Sequence, residues 1–463
     1  MPASGTPTAG SYSQPHTSHT YFIIVSNLYK TPANHLRNEP FCRVNSNFGA
    51  KIHNIFHLCK FFGKKVCFFV IFFVSLHHNC KMPMKSISYI GCDDATLDLF
   101  EGQYALPEGM CYNSYLLCAD KVAVLDTIDK RCTDEWLNKV EKALLGRMPD
   151  YLVIHHTEPD HSGSVQRFVQ TYPNVQIVCS KVAENMLRQF GVEHNNILVV
   201  KEGDTLDLGG LSLQFIAAPM VHWPEVLLSY CSEEQVLFSA DAFGKFGVYD
   251  ADADDWACEA RRYYFNIVGK YGVQVQAVLK KVAPLAIRSI APLHGPVLEG
   301  EKMSEALRLY TIWSAYDVET EGVFVVSASI HGNTLQASEY IADELRKQGV
   351  KVAFSDLTRD DMAEAVEDAF RYGKMILCAC TYDADLFPPM HTFLHKLQLK
   401  GYKNRKVALV ENGSWAPQAA KIMRGMLDTM TNVEVVEPAV TLRGTMKDAD
   451  KPAIAELIAK ILA

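Results

Sequence analysis

From Val323 to the C-terminus the chain alternates five times between a short apolar run and a helical pattern. This alternation constrains the fold more than any other feature. The runs fall at 323–328, 350–356, 375–379, 407–410 and 433–440. Helical patterns follow them at 335–348, 362–372, 391–399, 418–430 and from Pro452 onward. Successive strand–helix units pair in parallel through right-handed crossovers, which predicts a doubly wound sheet with its ligand at the carboxyl ends of the strands. The loop after the first run, Ser329-Ile330-His331-Gly332-Asn333-Thr334, offers hydroxyls and backbone N–H groups at a helix N-terminus, a setting suited to phosphate. It is neither GxGxxG nor GxxxxGKS/T, which disfavours NAD and P-loop nucleotides. Two further strand-end loops, Thr381-Tyr382-Asp383-Ala384-Asp385-Leu386 and Asn412-Gly413-Ser414-Trp415, carry aromatics suited to packing on a flat ring. Trp415 alone reads as interface packing, but its place after a strand-end Gly-Ser weakens that reading. His331 is given no special role.

A different pattern occupies the middle of the chain. Residues 151–154 read as a strand, and the stretch behind them is His155-His156-Thr157-Glu158-Pro159-Asp160-His161-Ser162-Gly163-Ser164. Pro159 cannot lie inside a helix and pushes Glu158 toward an extended conformation. In an extended segment alternate side chains share a side, so His156, Glu158 and Asp160 are expected to converge on one point. Ser162 or Ser164 is the expected N-cap of a helix at 165–171.

Further strands are expected at 112–119, 122–126, 175–179, 211–217, 236–240 and 287–291, with helices at 136–145, 182–190 and 258–271. Mixed strands and helices of this kind form an α/β or α+β sandwich. Three of the strands run into a potential ligand: His222, Asp241 and His294. Each alone is an ordinary loop residue or turn former, and His155 keeps that plain reading. Together, in this order and always at strand ends, they do not.

The order HxExDH, then His, Asp and His, resembles that of the metallo-β-lactamase fold, an αββα sandwich with a dinuclear site at its strand ends. Glu158 stands where the hydrolases of that fold carry a histidine, and this change is the signature of the flavodiiron proteins. The S-x-x-G-N-T loop at 329–334 and the N-G-S-W loop at 412–415 are similar to those of the same family. The resemblance covers 84–463. It implies an α/β chain, with a metallo-β-lactamase-like αββα sandwich over 84–320 followed by a flavodoxin-like doubly wound parallel sheet over 321–463.

The resemblance also implies a chemistry. His156, Glu158 and His222 bind one iron, Asp160, His161 and His294 the other, and Asp241 bridges; Glu158, Asp241 and His222 are the residues taken as catalytic. A carboxylate in place of imidazole hardens the site and moves its preference from zinc toward iron. FMN is held with its phosphate on 329–334 and its isoalloxazine flanked by 381–386 and 412–415. The implied activity is reduction of dioxygen to water, of nitric oxide to nitrous oxide, or both, in detoxification. Electrons come from an external donor such as a rubredoxin or a flavin reductase. A cytoplasmic head-to-tail homodimer, or a dimer of dimers, is the implied assembly. Two other functions compete. A zinc-dependent metallo-hydrolase fused to a flavodoxin module is opposed by Glu158, and a pure electron carrier would need a broken ligand set, whereas all seven positions are filled. Spacing does not choose between the two gases or name the donor.

Composition fits this organisation. A length of 463 residues suggests two domains, and 48% hydrophobic with 21% charged residues supports a sizeable core. A net charge of −8 without a long basic run argues against nucleic acid as a partner. The 13 cysteines form no CxxC pair and read as reduced thiols of an intracellular protein. Residues 1–83 carry no sustained period. Their apolar block at 66–76 is shorter than the roughly 18 residues of a membrane span and too internal for a signal peptide. The extension is read as a disordered or upstream segment ahead of a start at Met82 or Met84, in preference to an organelle leader or a weak membrane anchor. With no rubredoxin-like module after 463, the expected class is the minimal two-domain one.

Overall fold

Alternate residues of the first strands bury on opposite sides, and this sets the layers. In the computed structural model, which describes residues 86–251 and 255–463, two six-stranded sheets come first. One runs Ile87–Tyr89, Tyr115–Cys118, Val122–Leu125, Tyr151–Val153, Gln176–Cys179, Ile197–Val199 in spatial order; its last three pairings are parallel. The other runs Thr205–Asp207, Ser212–Ala217, Leu227–Cys231, Val236–Phe238, Ser289–Ala291, Leu298–Glu299, antiparallel except between Val236–Phe238 and Ser289–Ala291. Leu117, Leu125, Val153 and Val178 of the first sheet share one buried cluster with Leu213, Phe215, Phe238 and Ala291 of the second. Their neighbours Leu116, Val124, Leu152, Ile177, Leu228 and Ile290 face the other way, into a cluster with helical Trp136, Phe168 and Val275. Both faces of each sheet are therefore apolar, as an αββα sandwich requires. Each such Val or Leu contributes about 1.5–3 kcal/mol on full burial.

The third sheet has the order Val352–Asp356, Thr320–Ala328, Tyr372–Tyr382, Arg405–Asn412, with Val433–Val435 and Val440–Leu442 both paired to the last. All of these pairings are parallel. Val323, Val325, Ile376 and Val410 pack on helices Asn333–Lys347 and Lys451–Leu462. Phe324, Val326, Leu377 and Leu409 pack on the opposite side against Met362–Arg371, Pro388–Leu399 and Ala419–Leu427. This is the doubly wound arrangement expected from the alternation. Phe265, from the αββα part, stacks on Phe370 of this one at 4.4 Å and 9°. Arg261 adds a two-pronged bond to Glu319, both contacts at 2.7 Å.

Several elements differ from expectation. The run at 433–440 is two strands rather than one, with Pro438, which has no N–H for a ladder, between them. The helix expected at 258–271 ends as Trp256–Tyr263 and continues through a π turn, Tyr264–Val268, and a tight turn, Gly269–Tyr271. A further helix, Gly272–Val282, and the strand Leu227–Cys231 were not foreseen. Ser164 occupies the N-cap position of Val165–Thr171 but does not cap it; its hydroxyl bonds Thr133 Oγ1 at 2.7 Å.

The chain divides into Met1–Pro83 and Met84–Ala463. The expected extension 1–83, its apolar block at 66–76 and the candidate starts Met82 and Met84 lie outside the described residues. Among the described residues no helix is long and apolar enough to cross a membrane, and nine cysteines are free thiols.

Candidate metal centre

Strand register brings the candidate ligands together. Val236–Phe238 and Ser289–Ala291 run parallel with Phe238 opposite Ala291. Asp241 and His294 each lie three residues beyond that pair, so they emerge side by side. The hairpin of Ser212–Ala217 and Leu227–Cys231 carries His222 in its loop. Leu227 N donates to His155 O at 3.0 Å, which fastens this loop to the one after Tyr151–Val153. Pro159 opens a one-turn helix, Pro159–Ser162, with Glu158 extended before it (φ −55°, ψ 139°).

That turn corrects one expectation. His156, Glu158 and Asp160 do not converge on one point, because the turn carries Asp160 round to the second group. His156, Glu158, His222 and Asp241 form one set, and Asp160, His161 and His294 another. In the first, Glu158 Oε2 lies 3.3 Å from His156 Nε2 and 3.1 Å from His222 Nε2. In the second, Asp160 Oδ2 lies 3.4 Å from His161 Nε2 and 3.3 Å from His294 Nε2. Asp241 stands between them, with Oδ2 3.1 Å from His222 Nε2 and Oδ1 3.1 Å from His161 Nε2. All seven positions foreseen as ligands lie in these two groups.

Supporting residues fix the rings. His156 Nδ1 donates to Glu225 Oε1 at 2.8 Å, and His294 Nδ1 to the carbonyl of Cys111 at 2.7 Å. Each ring therefore turns its Nε2 lone pair inward, the state of a metal ligand. Glu225 also accepts from Thr157 N and Thr157 Oγ1, at 2.9 and 2.7 Å. Tyr263 donates to Asp241 Oδ2 at 2.8 Å. His155, left aside as a plain loop residue, bonds Asp126 Oδ2 at 2.6 Å and Ser229 Oγ at 2.8 Å. Sequence reasoning missed Glu225, Tyr263 and Asp126. Asp126, Met220, Ala240 and Phe243 all have positive φ (53°, 64°, 50° and 68°), so strained backbone flanks the ligand loops. Gly295 (φ +79°) follows His294 where a Cβ would come within 2.8 Å of Lys245 Cγ.

The donor set fits cations. His161 Nε2 and His294 Nε2 lie 3.0 Å apart in a fully buried place. Neither oxygen of Asp160, nor Asp241 Oδ1, accepts a hydrogen bond. Buried acceptors facing one another are costly unless positive charge lies between them. Burial opposes charging of His222, yet Asp241 and Glu158 overcome it and hold the ring up to about 9. His156 and His161 are raised against the same burial, His156 chiefly by Asp241 and His161 chiefly by Asp160. Burial would raise Glu158 and Asp241, but the surrounding imidazoles hold both carboxyls below their ordinary range. A divalent cation in each group supplies the charge that these carboxylates otherwise draw from protons.

At the carboxyl ends of the third sheet, Ser329 Oγ accepts from Gly332 N at 3.1 Å, and Gly332 (φ +84°) leads into helix Asn333–Lys347. Ile330, Tyr382 and Trp415 are exposed by 41%, 43% and 83%, an unusual amount of open apolar surface for strand-end loops. His331, Asp383, Ala384, Asp385 and Ser414 are exposed, and Gly413 is half-buried. Other foreseen contacts serve the fold. Thr381 Oγ1 accepts from Gln418 N and Ala419 N, at 2.9 and 3.2 Å, bracing the start of the next helix. Leu386 is a core residue, and Asp385–Leu386 folds back on Tyr372–Tyr382 as a hairpin. Asn412 bonds both the carbonyl and the N–H of Gly444, at 2.9 and 3.0 Å. Thr445 Oγ1 bonds Asn333 Oδ1 at 2.9 Å, and Thr334 is buried beside it in sequence. Residues 442–445 thus form a further wall that the sequence did not single out.

Known proteins resemble this chain in sequence and fold. The family described as ODP family beta lactamase matches residues 110–295. Diflavin flavoprotein A 1 of Synechocystis sp. is 35% identical over 61% of this chain and 50% of its own length. A coenzyme oxidase of Methanothermobacter marburgensis is 32% identical over 64% of this chain and 76% of its own length. The chain spans about half the length of the diflavin flavoproteins it matches. The crystal structure of the flavodiiron protein from Giardia intestinalis has the same fold, with a TM-score of 0.77, 23% identity, and coverage of 82% of this chain and 95% of that one. The likeness to these relatives, together with an αββα sandwich followed by a doubly wound sheet, places the chain in the flavodiiron protein family.

Proposed function

We propose that the protein is an FMN- and diiron-dependent reductase of dioxygen, nitric oxide or both, with its metal domain over 84–320 and its FMN domain over 321–463. The observation that carries this reading is Asp241, one oxygen toward each ligand group. Glu158, in place of the imidazole of a zinc hydrolase, supports iron over zinc. His156, Glu158 and His222 would hold one iron, Asp160, His161 and His294 the other, and Asp241 both. When bound, the flavin and the irons supply the electrons and the Lewis acidity for reducing the gas.

The chain's own residues prepare the site. Glu225 and the Cys111 carbonyl keep His156 and His294 oriented, with Nε2 of each turned toward the site. Tyr263 keeps its proton, held up by burial and by Asp241, and so remains a donor to that carboxylate. Phe100 meets His294 edge-on at 5.8 Å and packs on buried Phe246, which gives this side of the centre an apolar lining. At the third sheet the 329–334 loop would take the FMN phosphate and the exposed Tyr382 and Trp415 the ring. An external donor such as a rubredoxin or flavin reductase, and a cytoplasmic head-to-tail homodimer or dimer of dimers, complete the proposal by family likeness.

Metal and flavin analysis of the purified chain, then anaerobic reduction and parallel dioxygen and nitric oxide consumption assays, test it. Iron with FMN and consumption of either gas is the expected result. Zinc without iron, with ester or lactam hydrolysis, would overturn it in favour of a hydrolase. FMN with no metal would leave an electron carrier.

A further inference from the structure

Reducing either gas consumes protons as well as electrons. Dioxygen takes four of each to give two waters; two nitric oxides take two of each to give nitrous oxide and one water. The site offers those protons few routes. His156, His161 and His294 are fully buried, and Asp241 is 1% exposed.

One cavity of about 260 Å³ reaches the ligands from outside, lined among others by Glu158, Asp160, Tyr112, Phe100 and Glu101. Its acidic groups can be sorted. Glu158 and Asp160 belong to the ligand groups, and Asp129, also in the wall, pairs with Arg131 at 3.0 Å. Glu101 differs from all three. It is solvent-exposed, its one side-chain hydrogen bond among the described residues comes from Gln103 Nε2 at 3.3 Å, and it makes no ion pair or hydrogen bond with any of the seven ligands.

The backbone holds Glu101 in place. It starts the turn between strands Leu99–Phe100 and Tyr104–Ala105 with φ +49°, a left-handed conformation that disfavours a β-carbon and more often carries glycine or asparagine. The hairpin is pinned over the centre. Tyr104 donates to Asn266 O at 3.1 Å, Phe100 meets His294, and Lys396 Nζ reaches Gln103 Oε1 at 3.3 Å.

We infer that Glu101 is the proton-relay carboxyl of this centre, passing protons from solvent through the cavity to the gas being reduced. This rests on the gas-reductase reading above. For each proton that the reaction consumes, the Glu101 carboxylic acid would give its own to an oxygen of the gas. The carboxylate left behind takes a proton from water at the cavity mouth, so Glu101 ends unchanged. The charged groups facing it are Glu158 and His222 from the centre and Lys400 from beyond helix Pro388–Leu399. Its carboxyl thus stands in the cavity wall between solvent and the ligand carboxylates Glu158 and Asp160, where a proton donor to the site has to sit.

The test compares the full chain, loaded with iron and FMN, with its E101Q and E101D variants. E101Q should lose about 10²-fold in kcat with KM, iron and FMN content unchanged and a larger solvent deuterium isotope effect. E101D, or added acetate with E101Q, should restore part of the rate. A second readout needs no turnover: in the zinc-loaded protein, infrared difference spectra between acidic and alkaline pH should show a protonated-carboxyl band in the wild type that E101Q lacks. Unchanged kcat and isotope effect in E101Q would overturn the inference, as would a loss that neither aspartate nor acetate repairs and that follows loss of iron. Should the wild type consume neither gas, the gas-reductase reading fails, whereas a wild-type enzyme matched by E101Q defeats only the relay.

Discussion

His156 and Glu225 are joined back to front: the ring donates through Nδ1 to a carboxylate oxygen 2.8 Å away while Nε2 looks into the metal centre. Glu225 is itself buried and held by Thr157. Removing it frees the ring to rotate or to change tautomer. Glu225→Ala is expected to weaken metal binding about 10–100-fold, measured by titration of the metal-free protein against a competing chelator. Glu225→Gln, which can still accept through its amide oxygen, should fall between. Equal affinities for all three proteins would show that His156 is oriented by something else.

Asp241 has the opposite geometry, forward into both groups at once. Asp241→Ala removes a carboxylate that touches both sets of histidines. Gas consumption should drop to background while FMN remains bound and reducible by an external donor. The flavin spectrum under anaerobic reduction checks the second half independently of the first. Retained turnover would refute the bridging role.

How much of this was legible beforehand depended on the kind of signal. Asp241 and His294 could be found because a polar residue directly after an apolar strand breaks a pattern. The same alternation gave the doubly wound sheet. Glu225 breaks no pattern: its role appears only once Leu227 pairs with His155 and draws the loop behind His156. The Cys111 carbonyl that fixes His294 has no side-chain signature at all. The extended geometry alone put Asp160 with His156 and Glu158, because it was carried one residue too far, past the proline that starts a helical turn, whereas the family resemblance grouped Asp160 with His161 and His294. Thr381 and Leu386 were read as ligand contacts from position alone, and the structure gives each a part in the fold as well, in bracing the next helix and in the core.

Glu367 gives the fold a pH dependence away from the metal centre. It is 5% exposed, and its oxygen Oε2 has no partner. Arg261 lies 3.5 Å from the other oxygen, but its short bonds go to Glu319. Burial therefore prevails over Arg261 and pushes the Glu367 carboxyl from 4.5 up to about 8. Between those values the native protein keeps a proton that the unfolded chain has lost, so stability falls as pH rises through the window. The slope is about 1.4 kcal/mol per pH unit. Glu367→Gln cannot ionise. Its melting temperature relative to wild type should climb between about pH 5 and 8 and then level off. A pH-independent difference would mean that Glu367 is already ionised in the fold.

The joint between the two halves rests on Phe265 and Phe370, parallel at 4.4 Å. Phe370 is 1% exposed and also meets Tyr402 edge-on at 5.4 Å. Phe370→Ala should cost about 3–5 kcal/mol, read from urea unfolding followed by both tryptophan fluorescence and far-UV circular dichroism. If the two probes separate in the variant while coinciding in the wild type, the halves have lost their cooperativity. A loss below about 1 kcal/mol would show that the stack is not what couples them.

Trp415 separates a binding role from a structural one. At 83% exposure it has almost no packing to lose, so Trp415→Ala should leave the melting temperature of the flavin-free protein unchanged. A ring stacked on bound isoalloxazine, in contrast, is worth about 0.5–1.5 kcal/mol beyond its buried area. FMN dissociation should therefore weaken by roughly 3–10-fold or more, measured by the quenching of flavin fluorescence on titration. Trp415→Phe should recover much of the affinity, because a flat ring remains. The reduction potential offers a second view: removing an aromatic face from one side of the flavin should shift the two one-electron steps, whereas a bystander tryptophan leaves them in place. Unchanged FMN affinity in Trp415→Ala, with the same potentials, would remove Trp415 from the flavin site and leave Tyr382 as the exposed aromatic to test there.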